Sequence, residues 1–129
     1  GALDFNIGGT DVVIMDTDGT QFLRQAYSPT SALVDGANIA WNLLTAQTAS
    51  VTLAGNRTLD NPTNMQDGST YILRVTQDAT GSRTLAFGTA YDWPGGTAPT
   101  LTTTANAVDI LTFVSDGTSM FGVAQLDFS

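Results

Sequence analysis

The chain is expected to be all-β: an antiparallel β-sandwich or jelly-roll-like domain with an irregular N-terminal arm. Three observations predict this. Every acidic residue is aspartate and every basic one arginine. Two strong helix formers, glutamate and lysine, are therefore missing, while a residue that favours turns and caps is plentiful. Apolar residues recur at alternate positions over short runs, the period of a half-buried strand. Asp-Gly pairs at Asp35, Asp67 and Asp116 separate several of these runs, a strong short-range turn signal.

At 129 residues the chain reads as two unequal parts, an arm over 1–34 and a sandwich domain over 35–129. The arm has one apolar run, Val12 to Met15, a second strand from Gln21 to Tyr27, and a break at Ser28-Pro29. That gives it one or two short strands and little core of its own. From Asp35 the spacing becomes regular. Asn38 to Leu44 is expected to turn Ile39, Trp41 and Leu43 to one side. Ala49 to Ala54 should place Val51 and Leu53 inward, and Gly55-Asn56 should lead into a short strand, Arg57 to Leu59. Asn61-Pro62 ends that strand, since proline has no N–H for the ladder and holds its predecessor extended.

The stretch Gln66 to Phe87 reads as a central hairpin. Tyr71, Leu73 and Val75 face one way and Thr70, Ile72, Arg74 and Thr76 the other. A turn over Asp78 to Ser82, with Gly81 free to take a positive φ, leads to a return strand from Arg83 to Phe87. The connection Gly88 to Asn106 is long for a compact domain, and Tyr91, Trp93 and Leu101 are its candidate anchors. The strand Ala107 to Ser115, the turn Asp116-Gly117 and the strand Thr118 to Leu126 make a second hairpin. The two hairpins are expected to form the two halves of the core. Both show apolar character on both faces, which calls for a partner and points to a closed homotrimer.

The net charge of −8 argues against nucleic acid, because phosphate neutralisation needs clustered cations and only Arg24, Arg57, Arg74 and Arg83 are present. It argues equally against an anionic membrane surface, and no apolar run approaches the roughly 20 residues of a membrane helix. Cysteine and histidine are absent. With them go disulfides, thiolate metal sites and the commonest general base. No catalytic, cofactor or metal residue is expected.

One motif invites a chemical reading. Val12 to Thr20, VVIMDTDGT, resembles the first motif of haloacid dehalogenase-type phosphatases. The resemblance implies Asp16 as nucleophile and Asp18 as acid and base beside a magnesium ion. It ends after nine residues, and the cationic side chain and later acidic pair of that family are missing. A strand closing on an Asp-Gly turn explains the same residues. A calcium-type site at Asp16 and Asp18 lacks the acidic twelfth ligand, where Ser28 stands nearby. Trp41, Tyr71, Tyr91 and Trp93 are candidates for a sugar-stacking platform, although core and loop-anchor roles fit them better. Arg74 and Arg83 fall near opposite positions of the central hairpin, with Asp78, Asp109 or a neighbouring subunit as partners.

The segments VTLAGNRTLDNPTN (Val51 to Asn64), DGSTYILRVTQDATGSRTLAF (Asp67 to Phe87) and WPGGTAPTLTTTANAVDILTFVSDGTSMFGV (Trp93 to Val123) resemble a domain of tailed-bacteriophage virion proteins. The resemblance implies a small β-sandwich of the virion, often trimeric, without catalytic residues. Two roles follow. The first is a capsid decoration or cement protein that stabilises the shell and binds the major capsid protein or another virion protein. A free-standing chain of this length without a repetitive shaft points that way. The interface would include Leu3, Phe5, Ile7, Val12, Ile14, Phe22 and Tyr27 of the arm, with Arg74, Arg83 and Trp93 from the sandwich. The alternative is the receptor-binding tip of a tail or head fibre, acting through the Gly88 to Asn106 loop.

Overall fold

The structure, a computed structural model, describes residues 3–129. Twelve strands account for nearly all its regular structure. In chain order they are β1 (Leu3–Ile7), β2 (Thr10–Asp16), β3 (Gly19–Phe22), β4 (Thr30–Ala32), β5 (Asn38–Ile39) and β6 (Thr48–Leu53). They continue as β7 (Arg57–Leu59), β8 (Thr70–Gln77), β9 (Leu85–Phe87), β10 (Tyr91–Asp92), β11 (Val108–Ser115) and β12 (Met120–Phe128). The chain is an all-β sandwich, as its composition and alternation imply. The strand pairings differ from the expected ones.

Two sheets enclose the core. One has six strands in the order β10-β12-β11-β8-β6-β4, the other three in the order β5-β7-β9. From β4 to β10 successive strands alternate between the two layers. Neighbours within a layer are therefore not consecutive in the chain, and they run parallel: β4 with β6, β6 with β8, β5 with β7 and β7 with β9. The chain winds as a short two-layered coil, one strand per layer in each turn. Crossing through the opposite layer supplies the long connection that parallel neighbours require. The antiparallel pair β11–β12 then closes the large sheet against β8.

This winding corrects the central hairpin. β8 lies between β6 and β11, whereas the return strand β9 belongs to the opposite sheet beside β7. The corner between them shows why. Gln77 is buried, and its side chain accepts a hydrogen bond from the Arg83 N–H and donates one to the Arg83 carbonyl, at 2.9 Å each. Asp78 accepts from the Thr80 and Gly81 N–H groups at 3.0 and 2.8 Å. These side-chain bonds replace the ladder a hairpin would need. Gly81 sits at φ +71°, and a Cβ there would stand 2.6 Å from the Thr103 carbonyl oxygen.

The core fills from alternate positions, as the sequence indicates. Tyr71, Leu73 and Val75 of β8 meet Leu111 and Phe113 of β11, with Val51 and Leu53 of β6 beside them and Ile39, Leu59 and Leu85 from the small sheet opposite. Trp41 is fully buried and donates its indole N–H to the Ala46 carbonyl at 2.7 Å. Its ring packs edge-on against Tyr71 and Phe113. The segment expected to be a strand from Asn38 to Leu44 is a strand only over β5; beyond it the chain makes a single bridge, Asn42 to Thr63. Ile39, Trp41 and Leu43 all still point inward.

Over 1–34 the described residues form four strands rather than one or two. β1, β2 and β3 form an antiparallel meander, turning at Gly8-Gly9 with both residues at positive φ. β4 belongs to the large sheet, so the sandwich begins at Thr30, ahead of the expected boundary at 35. Among the described residues, the strands of the meander pack substantially only on one another.

Candidate functional site

The Asp16/Asp18 motif forms a hairpin turn. β2 ends at Asp16, β3 starts at Gly19, and the Asp16 carboxylate accepts a hydrogen bond from the Asp18 N–H at 2.9 Å. The strand before it is antiparallel and sits on the exposed meander, unlike the buried parallel strand that the phosphatase motif requires. Asp116 repeats the device. Its carboxylate accepts from Ser119 and Thr118 N–H groups at 2.7 and 2.9 Å, and these bonds hold it below the usual carboxylate range.

The aromatic residues mostly serve the core. Tyr71 and Tyr91 are buried. The Tyr91 hydroxyl donates to the Asp60 carbonyl at 3.0 Å, and burial, followed by the Asp60 charge, pushes its pKa upward. Trp93 is the exception. It is half-buried and meets Phe87 edge-on with ring centroids 4.8 Å apart. A Cβ at Gly122 would stand 2.6 Å from the Phe113 ring and 2.7 Å from the Trp93 ring, so glycine is what lets this indole lie on the sheet. Shallow grooves run along both its sides, one lined by Pro94, Phe121 and Val123, the other by Thr97, Pro99 and Leu126.

Arg74 and Arg83 are not brought together. Arg83 sits in the corner after β8 and forms a bidentate pair with Asp78, its closest contact 2.8 Å. Arg57 and Asp35 form a second such pair at 2.8 to 2.9 Å. In each pair the arginine's hydrogen bond holds the carboxyl below its ordinary range. Arg74 points outward from β8, level with Ser50 and Ile110 on the neighbouring strands, and has no ion pair among the described residues.

Two broad surfaces remain uncovered. On the meander the register places Leu3 opposite Met15, Phe5 opposite Val13, and Val13 opposite Phe22 on a single face. Leu3 is 68% exposed, Phe5 61% and Phe22 58%. Ile7 is exposed on the same strand and Val12 half-buried, while Ile14 falls on the reverse face and Tyr27 lies in the linker to β4. The second surface is the outer side of the large sheet. Val123 and Ile72 flank Thr112 in one row, and Phe121 stands beside Val114 in the next. Reading single strands shows their two-sided apolar character but not that these four residues join into one patch. A second signal was available: no outward position on β6, β8, β11 or β12 as far as Gln125 carries a carboxylate, in a chain with twelve aspartates.

The chain is thus an alternating all-β coil with open apolar faces and several carboxylates tied to backbone N–H groups. A family model described as "Putative phage tail fibre C-terminal domain" matches residues 40–120. The chain belongs to this family, and the match runs from the second layer of the first coil to the start of β12. It is a structural protein of a phage virion, of the fibre kind. No curated protein and no solved structure matches the chain.

Proposed function

We propose that this domain lies at the outer end of a phage fibre, that it acts by binding rather than by chemistry, and that it does so as a homotrimer. The observation that carries this reading is the match of the sandwich to a tail-fibre C-terminal domain. The geometry supports it. The Trp93–Pro94 corner, with Phe121 and Val123, offers apolar and aromatic surface beside shallow grooves suited to a surface ligand. Aspartates that could serve chemistry are spent on backbone N–H groups at Asp16, Asp78, Asp109 and Asp116. The partners are a second and third copy of this chain, another virion protein on the N-terminal side, and a surface of the host. Nucleic acid and membrane are not partners, because the charge is −8 and two of the four arginines are already paired.

Capsid decoration is the second reading. The open apolar face of the meander favours it, since such a face could order on a shell. The fibre match weighs more. Labelling intact virions with gold-tagged antibody to this domain separates the two. Label at fibre ends is the expected result, and label spread evenly over the shell would replace the fibre reading with the decoration one.

A further inference from the structure

We propose that the meander of one copy lies across the outer face of the large sheet in the next copy, so that each chain both gives and receives an apolar face around a closed ring. The inference rests on the homotrimer reading and says which surfaces make the trimer.

The two faces fit in size and polarity. The meander presents Leu3, Phe5, Met15 and Phe22 at 47–68% exposure, and the large sheet Ile72, Val114, Phe121 and Val123 at 38–54%. Open apolar patches rimmed by polar residues mark contact surfaces, and this chain has two. A three-stranded sheet with one bare apolar face is marginal in water and needs a packing partner. A second sheet at the usual ~10 Å separation provides one.

Charge favours the pairing. Copies carrying −8 each repel wherever carboxylates face one another. Among the described residues the apolar face of the meander carries none. Asp11 binds the Asn6 amide on the reverse of the meander, at 2.8 Å, and Asp16 follows Ile14 on that side. The outer face of the large sheet carries Arg74 beside the apolar patch, and Asp92 of β10 level with Phe121 at its edge. The meander carries Asp18 on its exposed β2–β3 turn, opposite in sign to Arg74, which has no ion pair among the described residues. These charges then meet beside the apolar contact, the arrangement stable interfaces favour. A head-to-tail contact of this type closes into a three-membered ring when its rotation is a third of a turn, and grows into an open filament when its rotation does not close.

The absence of cysteine allows a clean test. Phe22→Cys and Val123→Cys are made singly and together in the full chain, oxidised, and run on non-reducing gels beside light scattering of the unmodified protein. The double variant should give covalent dimers and trimers, and each single variant should stay uncrosslinked. Phe5→Asp should weaken assembly at least tenfold without changing the circular dichroism of the monomer. Dimers from Val123→Cys alone would mean that sheet faces meet, and a link within one chain would mean that the meander folds back on its own sheet. Either outcome overturns the proposal, as does a trimer that neither cross-links nor responds to Phe5→Asp; that last result leaves the trimer itself standing. A monomeric unmodified protein would sink the trimer and this pairing together.

Discussion

Asp109 shows how one residue can fix two distant segments. It is buried on β11, and its two carboxylate oxygens accept from the Thr102 N–H at 2.7 Å and the Asp127 N–H at 2.9 Å. The first bond pins the end of the long connection to the sheet. The second holds the bulge where β12 slips against Val108 and Ile110, with Asp127 at φ 60°. Asp109→Ala would strand both N–H groups. A buried unsatisfied donor costs roughly 1–3 kcal/mol, so the variant should lose about 2–4 kcal/mol in urea unfolding. A loss below about 1 kcal/mol would mean that water reaches these groups. Sequence alone placed Asp109 among possible arginine partners. Its true partners are backbone groups seven and eighteen residues away, and no side-chain pattern marks those.

At the scale of elements, the meander and the sandwich divide the labour. The core aromatics and the ladders of the large sheet all lie from Thr30 onward. A chain beginning at residue 24 should therefore keep its near-ultraviolet dichroism, which reports the Trp41 cluster, and should sediment as a monomer. An unfolded truncation would show that the meander is part of the core, and a trimeric one would show that assembly does not need it. The sequence made strand positions and inward faces legible: β6, β7, β8 and β11 fall within a residue or two of expectation, because period-two alternation is local information. It did not reveal which strands pair. Leu85 and Phe87 alternate as a hairpin return would, and the pattern is silent about which layer receives them. The deciding residues, Gln77 and Asp78, act through side-chain bonds to backbone that look in sequence like any polar turn.

For the whole molecule, one ion pair joins successive turns of the coil and the other braces a single corner. Asp35 with Arg57 joins the approach to β5 to its neighbour β7, and Asp78 with Arg83 braces the corner from β8 to β9. Both carboxyls are held below their unfolded values by the arginine hydrogen bonds. A depressed carboxyl contributes stability that is complete above the unfolded value of about 3.9 and disappears as pH falls through the lower folded value. Asp35→Asn and Asp78→Asn should therefore unfold at lower urea than the parent at pH 7. The gap should close below about pH 4. Comparing variant with parent at each pH removes the general effect of neutralising the other carboxylates. A gap of equal size at pH 7 and pH 3 would show that the pairs contribute through geometry alone.

The coil also sets the order in which the protein can be made. Thr48 must find Thr30 across one intervening strand, Ile72 must find Thr48, and Thr58 must find Asn38. Each ladder waits for a loop to close before its first bond forms, and that closure is paid in chain entropy. Only the meander and the β11–β12 pair can zip from a tight turn. On a ribosome, which delivers residues from the N-terminus, the meander completes its own ladder while the large sheet has none of its strands. The apolar face of the meander is therefore finished before any strand of the sandwich exists.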